Sequence, residues 1–193
     1  MSSREAICTT TLALLRHGQT DLNREQRWQG TTDAPLNELG RRQAGRAADL
    51  LARRSWNRIV TSPLLRARQT AAIVAATLAM ADPLTSADLA EQHGGVAEGM
   101  LEADVRRRWP TEETIPGSET RAEVAARGAR ALTTLAQRHH GESLIVVAHG
   151  TMFRLALGSL VNEPQPLMGN GHFVVATFHQ SGQFNVSHAC PAY

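Results

Sequence analysis

Twice in this chain an apolar run ends in histidine followed at once by glycine: Leu14-Leu15-Arg16-His17-Gly18 near the start and Val146-Val147-Ala148-His149-Gly150 far downstream. Each run has the length of a buried strand, and glycine after it predicts a sharp backbone turn at the strand end. In an open α/β sheet that edge is where ligands bind. Two imidazoles at one edge, one with an arginine beside it, point to a pocket for an anion that is also a site for nucleophilic chemistry. A phosphoryl group is the anion that fits. Arginine supplies planar, paired donors that stay charged, and phosphoryl transfer asks mainly for positioning and neutralisation of the equatorial oxygens.

The elements that must position these residues can be read from periodicity. Strands are predicted over 10–15, 56–61, 84–85 and 143–148, with a hairpin-like pair over 172–178 and 183–186. Asn37 reads as the N-cap of a helix ending near Ser55, with Leu39, Ala44, Ala47, Ala48, Leu50 and Leu51 as its buried stripe. A helix entered through Ser62-Pro63 runs to about Met80, and others cover 101–109, 119–140 and 151–160. Residues 18–37 read as a long functional loop, and 91–99, with three glycines and no clear period, as another loop. Strands alternating with helices predict an α/β fold, a mostly parallel central sheet with helices on both faces, in one domain spanning 1–193.

Composition narrows the chemistry. The net charge is only +2, and all 20 basic residues are arginine. Without lysine there is no phosphate-loop lysine, Schiff base or lysine nucleophile. Arg41-Arg42, Arg53-Arg54 and Arg106-Arg107-Arg108 are scattered and lack interleaved aromatics, so no nucleic-acid partner is expected. Cys8 and Cys190 form no metal spacing and read as free thiols; no HExxH or Cys/His cluster is present, so neither a metal nor a cofactor is expected. No signal core and no apolar stretch near the ~20 residues of a bilayer span are seen, which predicts a cytoplasmic protein with no membrane partner. Oligomeric state is not legible.

Taken singly, the chemical residues have plain readings. Arg66 suits a helix surface, Glu91 and Glu98 suit solvated loops, and His149 suits a satisfied core position. Their order is more informative. After Arg16-His17-Gly18 come Asn23, Arg27-Trp28-Gln29-Gly30 and Asp33-Ala34-Pro35-Leu36-Asn37-Glu38-Leu39-Gly40. Thr61-Ser62-Pro63-Leu64-Leu65-Arg66-Ala67-Arg68-Gln69-Thr70-Ala71 follows, then Leu89-Ala90-Glu91, Glu98-Gly99 and His149-Gly150. From Thr11 to Gly150 this order resembles the histidine phosphatase superfamily, whose fold is shared by cofactor-dependent phosphoglycerate mutases and many small phosphatases.

The resemblance implies that His17 takes the phosphoryl group and that Arg16, Arg66 and His149, with Gly150 beside it, complete the phosphate pocket. It makes Asn23 a further donor to the phosphate oxygens and Glu91 the acid for the leaving oxygen. His17 must be neutral to attack, and two arginine charges, each on the order of 4 kcal/mol at ~4 Å in an effective dielectric near 20, repel its proton.

Departures from the family pattern bear on substrate. Gln19 replaces a frequent glutamate, and Leu22 and Ala97 stand where aromatics are common, which predicts a wide pocket mouth unless Trp28 or Trp109 has taken over the wall. His93 is expected near that mouth. Ala90-Glu91-Gln92-His93 and the short connection from Arg108 to Arg121 favour a phosphatase over a mutase. The expectation is a metal-independent phosphomonoesterase acting through phosphohistidine on a small phosphorylated substrate. The alternatives are a cofactor-dependent phosphoglycerate mutase and a non-catalytic phosphoryl-binding protein.

Overall fold

The computed structural model describes residues 9–187; Cys8, Cys190 and His188 lie outside them. Six strands form one sheet: β1 (Thr10–Arg16), β2 (Arg58–Thr61), β3 (Leu84–Thr85), β4 (Ser143–Ala148), β5 (Phe173–Phe178) and β6 (Phe184–Ser187), in the order β3-β2-β4-β1-β5-β6. The first four are mutually parallel, while β5 runs antiparallel to β1 and β6 to β5. The helices are α1 (Asp21–Arg24), α2 (Glu38–Leu51), α3 (Leu65–Thr77), α4 (Glu102–Arg108), α5 (Arg121–Arg138) and α6 (Gly150–Val161). No helix among the described residues is long and apolar enough to cross a membrane.

Alternation along the strands divides the core into two layers. Leu12, Leu14, Leu144 and Val146 point toward α5 and α6, where they meet Val124, Leu132, Met152 and Phe153. Ala13, Leu15, Ile145 and Val147 point the other way, onto Ala47, Leu51, Ala71 and Val74 of α2 and α3. Both faces of β1 and β4 are therefore covered, which is why 12–15 and 144–148 are continuous apolar runs instead of alternating. The three-layer α/β arrangement is the expected one.

Boundaries moved where a side chain outside the element competes for its backbone. α2 stops at Leu51, not near Ser55, and β2 starts at Arg58, not Trp56, because the Trp56 indole N–H donates to Leu51 O (2.8 Å) and packs back on the helix end. Leu39 is 38% exposed; Gly40 holds the buried place instead. α3 opens at Leu65, so Pro63 lies outside it, and the Asp33 carboxylate from the preceding loop accepts from Leu65 N. Ser62 Oγ accepts from Leu64 N (3.3 Å) and also lies 2.7 Å from His149 Nε2. Within the 18–37 loop, Thr20 and Asn23 close a capping box around the short α1.

Candidate active site

β1 and β4 are adjacent and parallel, with Arg16 opposite Ala148, so the residues that follow them emerge side by side. His17 N donates to Ala148 O (3.0 Å), and the His17 and His149 ring centroids lie 5.2 Å apart. The two glycines act by close approach rather than by turning the chain. A Cβ on Gly18 would fall 2.2 Å from Gly40 O, which locks the turn after β1 against the start of α2. A Cβ on Gly150 would fall 3.1 Å from Arg16 Nε, so glycine there lets the guanidinium lie along the start of α6.

His17 is 2% exposed and its tautomer is set by two neighbours. Nδ1 lies 2.7 Å from Gly18 O, which can only accept, so Nδ1 carries the proton. Nε2 then presents a lone pair, and Arg66 Nε donates to it at 3.3 Å. Burial holds the His17 imidazole well below its ordinary pKa, with the Arg66 and Arg16 charges adding to the effect and the Gly18 carbonyl opposing it. The sequence pointed to the arginines; desolvation is the larger cause.

Arg66, 1% exposed, spends its fork on main-chain carbonyls: Nη1 donates to Thr32 O and Nη2 to Gly30 O, both at 2.8 Å. Burial lowers its pKa to about 10, while Glu91, Asp33 and Glu98 work against the shift, so it remains a cation at neutral pH. Arg16 donates through Nη1 to Met168 O, and its buried Nε has no protein partner. Burial lowers its pKa too, opposed by Glu91 and Glu102.

His149 is fully buried beneath these groups. Its Nε2 meets Ser62 Oγ at 2.7 Å and its Nδ1 has no partner. Burial, followed by the charges of Arg66, His17, Arg16 and Arg127, holds its pKa well below the ordinary value.

Glu91 enters from the loop opposite. Its Oε1 accepts from Gln92 N (2.9 Å) and Met152 N (3.0 Å), and its Oε2 from Thr151 N (3.2 Å), which seats the carboxylate on the first turn of α6. Asn23 Oδ1 accepts from Thr20 N, Thr20 Oγ1 and Asn170 Nδ2, each at 3.2 Å. These donors fix the amide so that its nitrogen points away from them.

Arg16, His17, Asn23, Arg66 and Glu91 line one pocket of about 420 Å³. The structure thus brings together the residues expected to meet, with His149 just behind them and Gly150 against Arg16.

The rim differs from expectation. Ala97 is fully buried in a satellite core with Val105 and Ile115, and neither it nor Leu22 lines the pocket; Trp28 and Trp109 do. The wall has been taken over, and the wide mouth predicted from Ala97 and Leu22 does not follow. His93 binds Gly117 O (2.9 Å) in a separate surface hollow instead of the mouth. Glu98 is a strut and not a solvated carboxylate. It accepts from Thr31 N (2.8 Å), Gly94 N (3.0 Å) and Thr32 Oγ1 (2.7 Å); partial burial raises its pKa, and these bonds outweigh that and lower it.

Four supporting residues were not found from sequence. Ser62 holds His149. Thr70 Oγ1 accepts from Gly18 N (3.1 Å) and donates to Arg66 O (2.8 Å), joining the turn after β1 to α3. Asn170 Nδ2 donates to His17 O (3.1 Å) as well as to Asn23. Arg127 donates to Asp88 O (2.8 Å) and Ala90 O (2.9 Å), and both its Nε and Nη2 reach the Glu119 carboxylate. Only Thr70, one helical turn after Arg66, left a signal that helix spacing could have found.

Known proteins resemble this chain in sequence and in fold. The chain is 38% identical over 149 residues to "Uncharacterized phosphatase PhoE" of Bacillus subtilis, covering 77% of this chain and 76% of that protein. It is 39% identical over 158 residues to a protein of Mycobacterium tuberculosis named as bifunctional, covering 77% of this chain but only 43% of that one. A mycobacterial glucosyl-3-phosphoglycerate phosphatase solved in complex with VO3 superposes with a TM-score of 0.82 at 30% identity, covering 92% of this chain and 96% of that one. The model of the histidine phosphatase superfamily (branch 1) matches residues 12–189, and the chain belongs to that family.

Proposed function

We propose that this protein is a metal-independent phosphomonoesterase that works through a phosphohistidine on His17 and acts on a small phosphorylated metabolite. One observation carries the reading: the His17 Nε2 lone pair, fixed by the Nδ1–H bond to Gly18 O, faces Arg66 Nε at 3.3 Å. A neutral imidazole with a defined lone pair beside the buried Arg66 guanidinium and the partly buried Arg16 is a nucleophile built for an anionic electrophile.

In the first step Nε2 attacks phosphorus and the ester P–O bond breaks. Arg66 Nε transfers its hydrogen bond from Nε2 to a phosphoryl oxygen as the N–P bond forms. Arg16 Nε and His149 Nδ1, both buried without protein partners, are donors in reserve for the same oxygens when the Ser62 hydroxyl donates to His149 Nε2. The Asn23 amide nitrogen adds another. Glu91 delivers its proton to the departing oxygen. In the second step Glu91 takes a proton from water, the hydroxide attacks phosphorus, the N–P bond breaks and phosphate leaves. The relatives named as phosphatases support hydrolysis over transfer within a substrate.

Rapid quenching with a radiolabelled aryl phosphate tests the intermediate. An acid-labile, base-stable adduct on His17, absent in His17→Ala and formed equally with EDTA present, is the expected result. An adduct on serine or aspartate, or turnover abolished by chelation and restored by a divalent ion, would overturn the proposal.

A further inference from the structure

Five arginines line the pocket, and four of them are accounted for. Arg16 and Arg66 face the proposed phosphoryl site. Arg27 pairs with Glu25 (3.1 Å) and donates to Gly99 O (2.8 Å), and Arg106 pairs with Glu102 (2.7 Å). Arg154 is different. Among the described residues it makes no ion pair, and its Nε is buried with no hydrogen-bond partner. The carboxylates that share the pocket are engaged elsewhere: Glu102 with Arg106, Glu112 with Arg121 (3.0 Å), and Glu91 with main-chain N–H groups. A buried donor on a permanent cation is costly to leave unsatisfied, so a group arriving from outside is its natural partner.

Its position says which part of the substrate that group belongs to. Along α6, Gly150 abuts Arg16, Thr151 and Met152 hold Glu91, and Arg154 lines the same pocket three residues after Thr151. Three residues advance a helix by about 4.5 Å. The order along the helix is therefore phosphoryl site, acid for the leaving oxygen, then Arg154. A substituent on the leaving group, a few bonds beyond the ester oxygen, is what reaches Arg154.

We infer that Arg154 is a second anion subsite, and that the substrate is a phosphate monoester whose leaving group carries a further acidic group, a carboxylate or a second phosphate. Guanidinium suits both because its paired N–H groups match two oxygens at once. This inference rests on the phosphomonoesterase reading for its placement of the phosphoryl group.

The test is calorimetric binding to His17→Ala with two matched ligand pairs: 3-phosphoglycerate against glycerol 3-phosphate, and fructose 1,6-bisphosphate against fructose 6-phosphate. In at least one pair the ligand with the extra anion is expected to bind roughly tenfold or more tightly, as a charge-assisted hydrogen bond allows. Which pair shows the preference distinguishes carboxylate from phosphate. The preference should vanish in His17→Ala/Arg154→Met and survive in part in His17→Ala/Arg154→Lys, which also serves if the methionine variant does not fold. No preference in either pair, or one that outlasts loss of the Arg154 charge, overturns the subsite. Hydrolysis of p-nitrophenyl phosphate by the unmodified protein separates the two ideas. Turnover without an anion preference sinks the subsite alone; preference without turnover sinks the phosphomonoesterase reading and leaves the subsite standing.

Discussion

Arg16, His17, Arg66 and His149 sit at the ends of β1 and β4 and on the first turn of α3, and most of their polar atoms are committed to fixed main-chain or buried partners. Trp28, Trp109 and Glu91 come instead from segments that cross the mouth, steadied by the small core of Ala97, Val105 and Ile115 and by single struts such as Glu98 and Arg127. The floor inherits rigidity from a sheet covered on both faces. The rim depends on a few hydrogen bonds between loops. On the proposed reading the floor holds the phosphoryl group, while the leaving group meets Glu91 from a rim loop and Arg154 from α6.

The largest expected effect breaks the floor. Arg66→Met removes a charge from the phosphoryl site and its bond to His17, and turnover should fall by on the order of 10³-fold. Because the loss is in phosphoryl binding, aryl and alkyl phosphates should suffer alike in steady-state kinetics. A loss confined to alkyl esters would move Arg66 into the leaving-group half and erase the distinction.

The rim should show the opposite pattern. Glu91→Gln is expected to slow alkyl phosphates by about 10²-fold and p-nitrophenyl phosphate only a few-fold, since p-nitrophenolate departs without a proton. Arg127 grips the carbonyls of Asp88 and Ala90, next to Glu91, while bound to Glu119. As a positioning residue it should share the signature at smaller amplitude: Arg127→Met lowers kcat for alkyl esters roughly tenfold more than for aryl esters. Equal losses on the two ester types would show that Arg127 merely supports the fold.

The smallest effect is on stability. His17 and His149 are neutral when folded, with burial first among the causes of their lowered pKa values. Above the ordinary histidine pKa of about 6.5 both folded and unfolded chains carry neutral rings, and the contribution is flat. As pH falls below that value the unfolded chain takes up protons that the folded chain refuses. Stability should then drop by up to about 1.4 kcal/mol per pH unit for each ring until the lowered folded pKa is reached. Urea midpoints between about pH 7 and pH 5 measure this slope, and His17→Ala or His149→Ala should each make it shallower. A level profile in the unmodified protein would mean that the floor is less sealed than its burial indicates.

Much of the floor is legible in the residues alone. An apolar run followed by histidine and glycine marks a buried strand stopping at a ligand edge, and Ser143–Ala148 has the boundaries read from its residues. Legibility fails where partners lie far apart in the chain. Whether Ala97 faces a pocket or a core depends on what packs over it, and an alanine carries no mark of which. Thr70, Asn170 and Arg127 act largely on main-chain atoms, which every residue possesses, so their types do not announce their roles.

The sequence by itself determined which segments are apolar on both faces, hence the covered parallel sheet, and which side chains can neutralise a phosphoryl group. Only the tertiary structure decided that β1 lies against β4 in the register that sets Arg16 beside Ala148, and so places one imidazole 5.2 Å from the other. Periodicity and residue chemistry are local properties. Strand register, desolvation and the hydrogen bond that chooses a tautomer are properties of neighbours in space, which exist only once the chain has closed on itself.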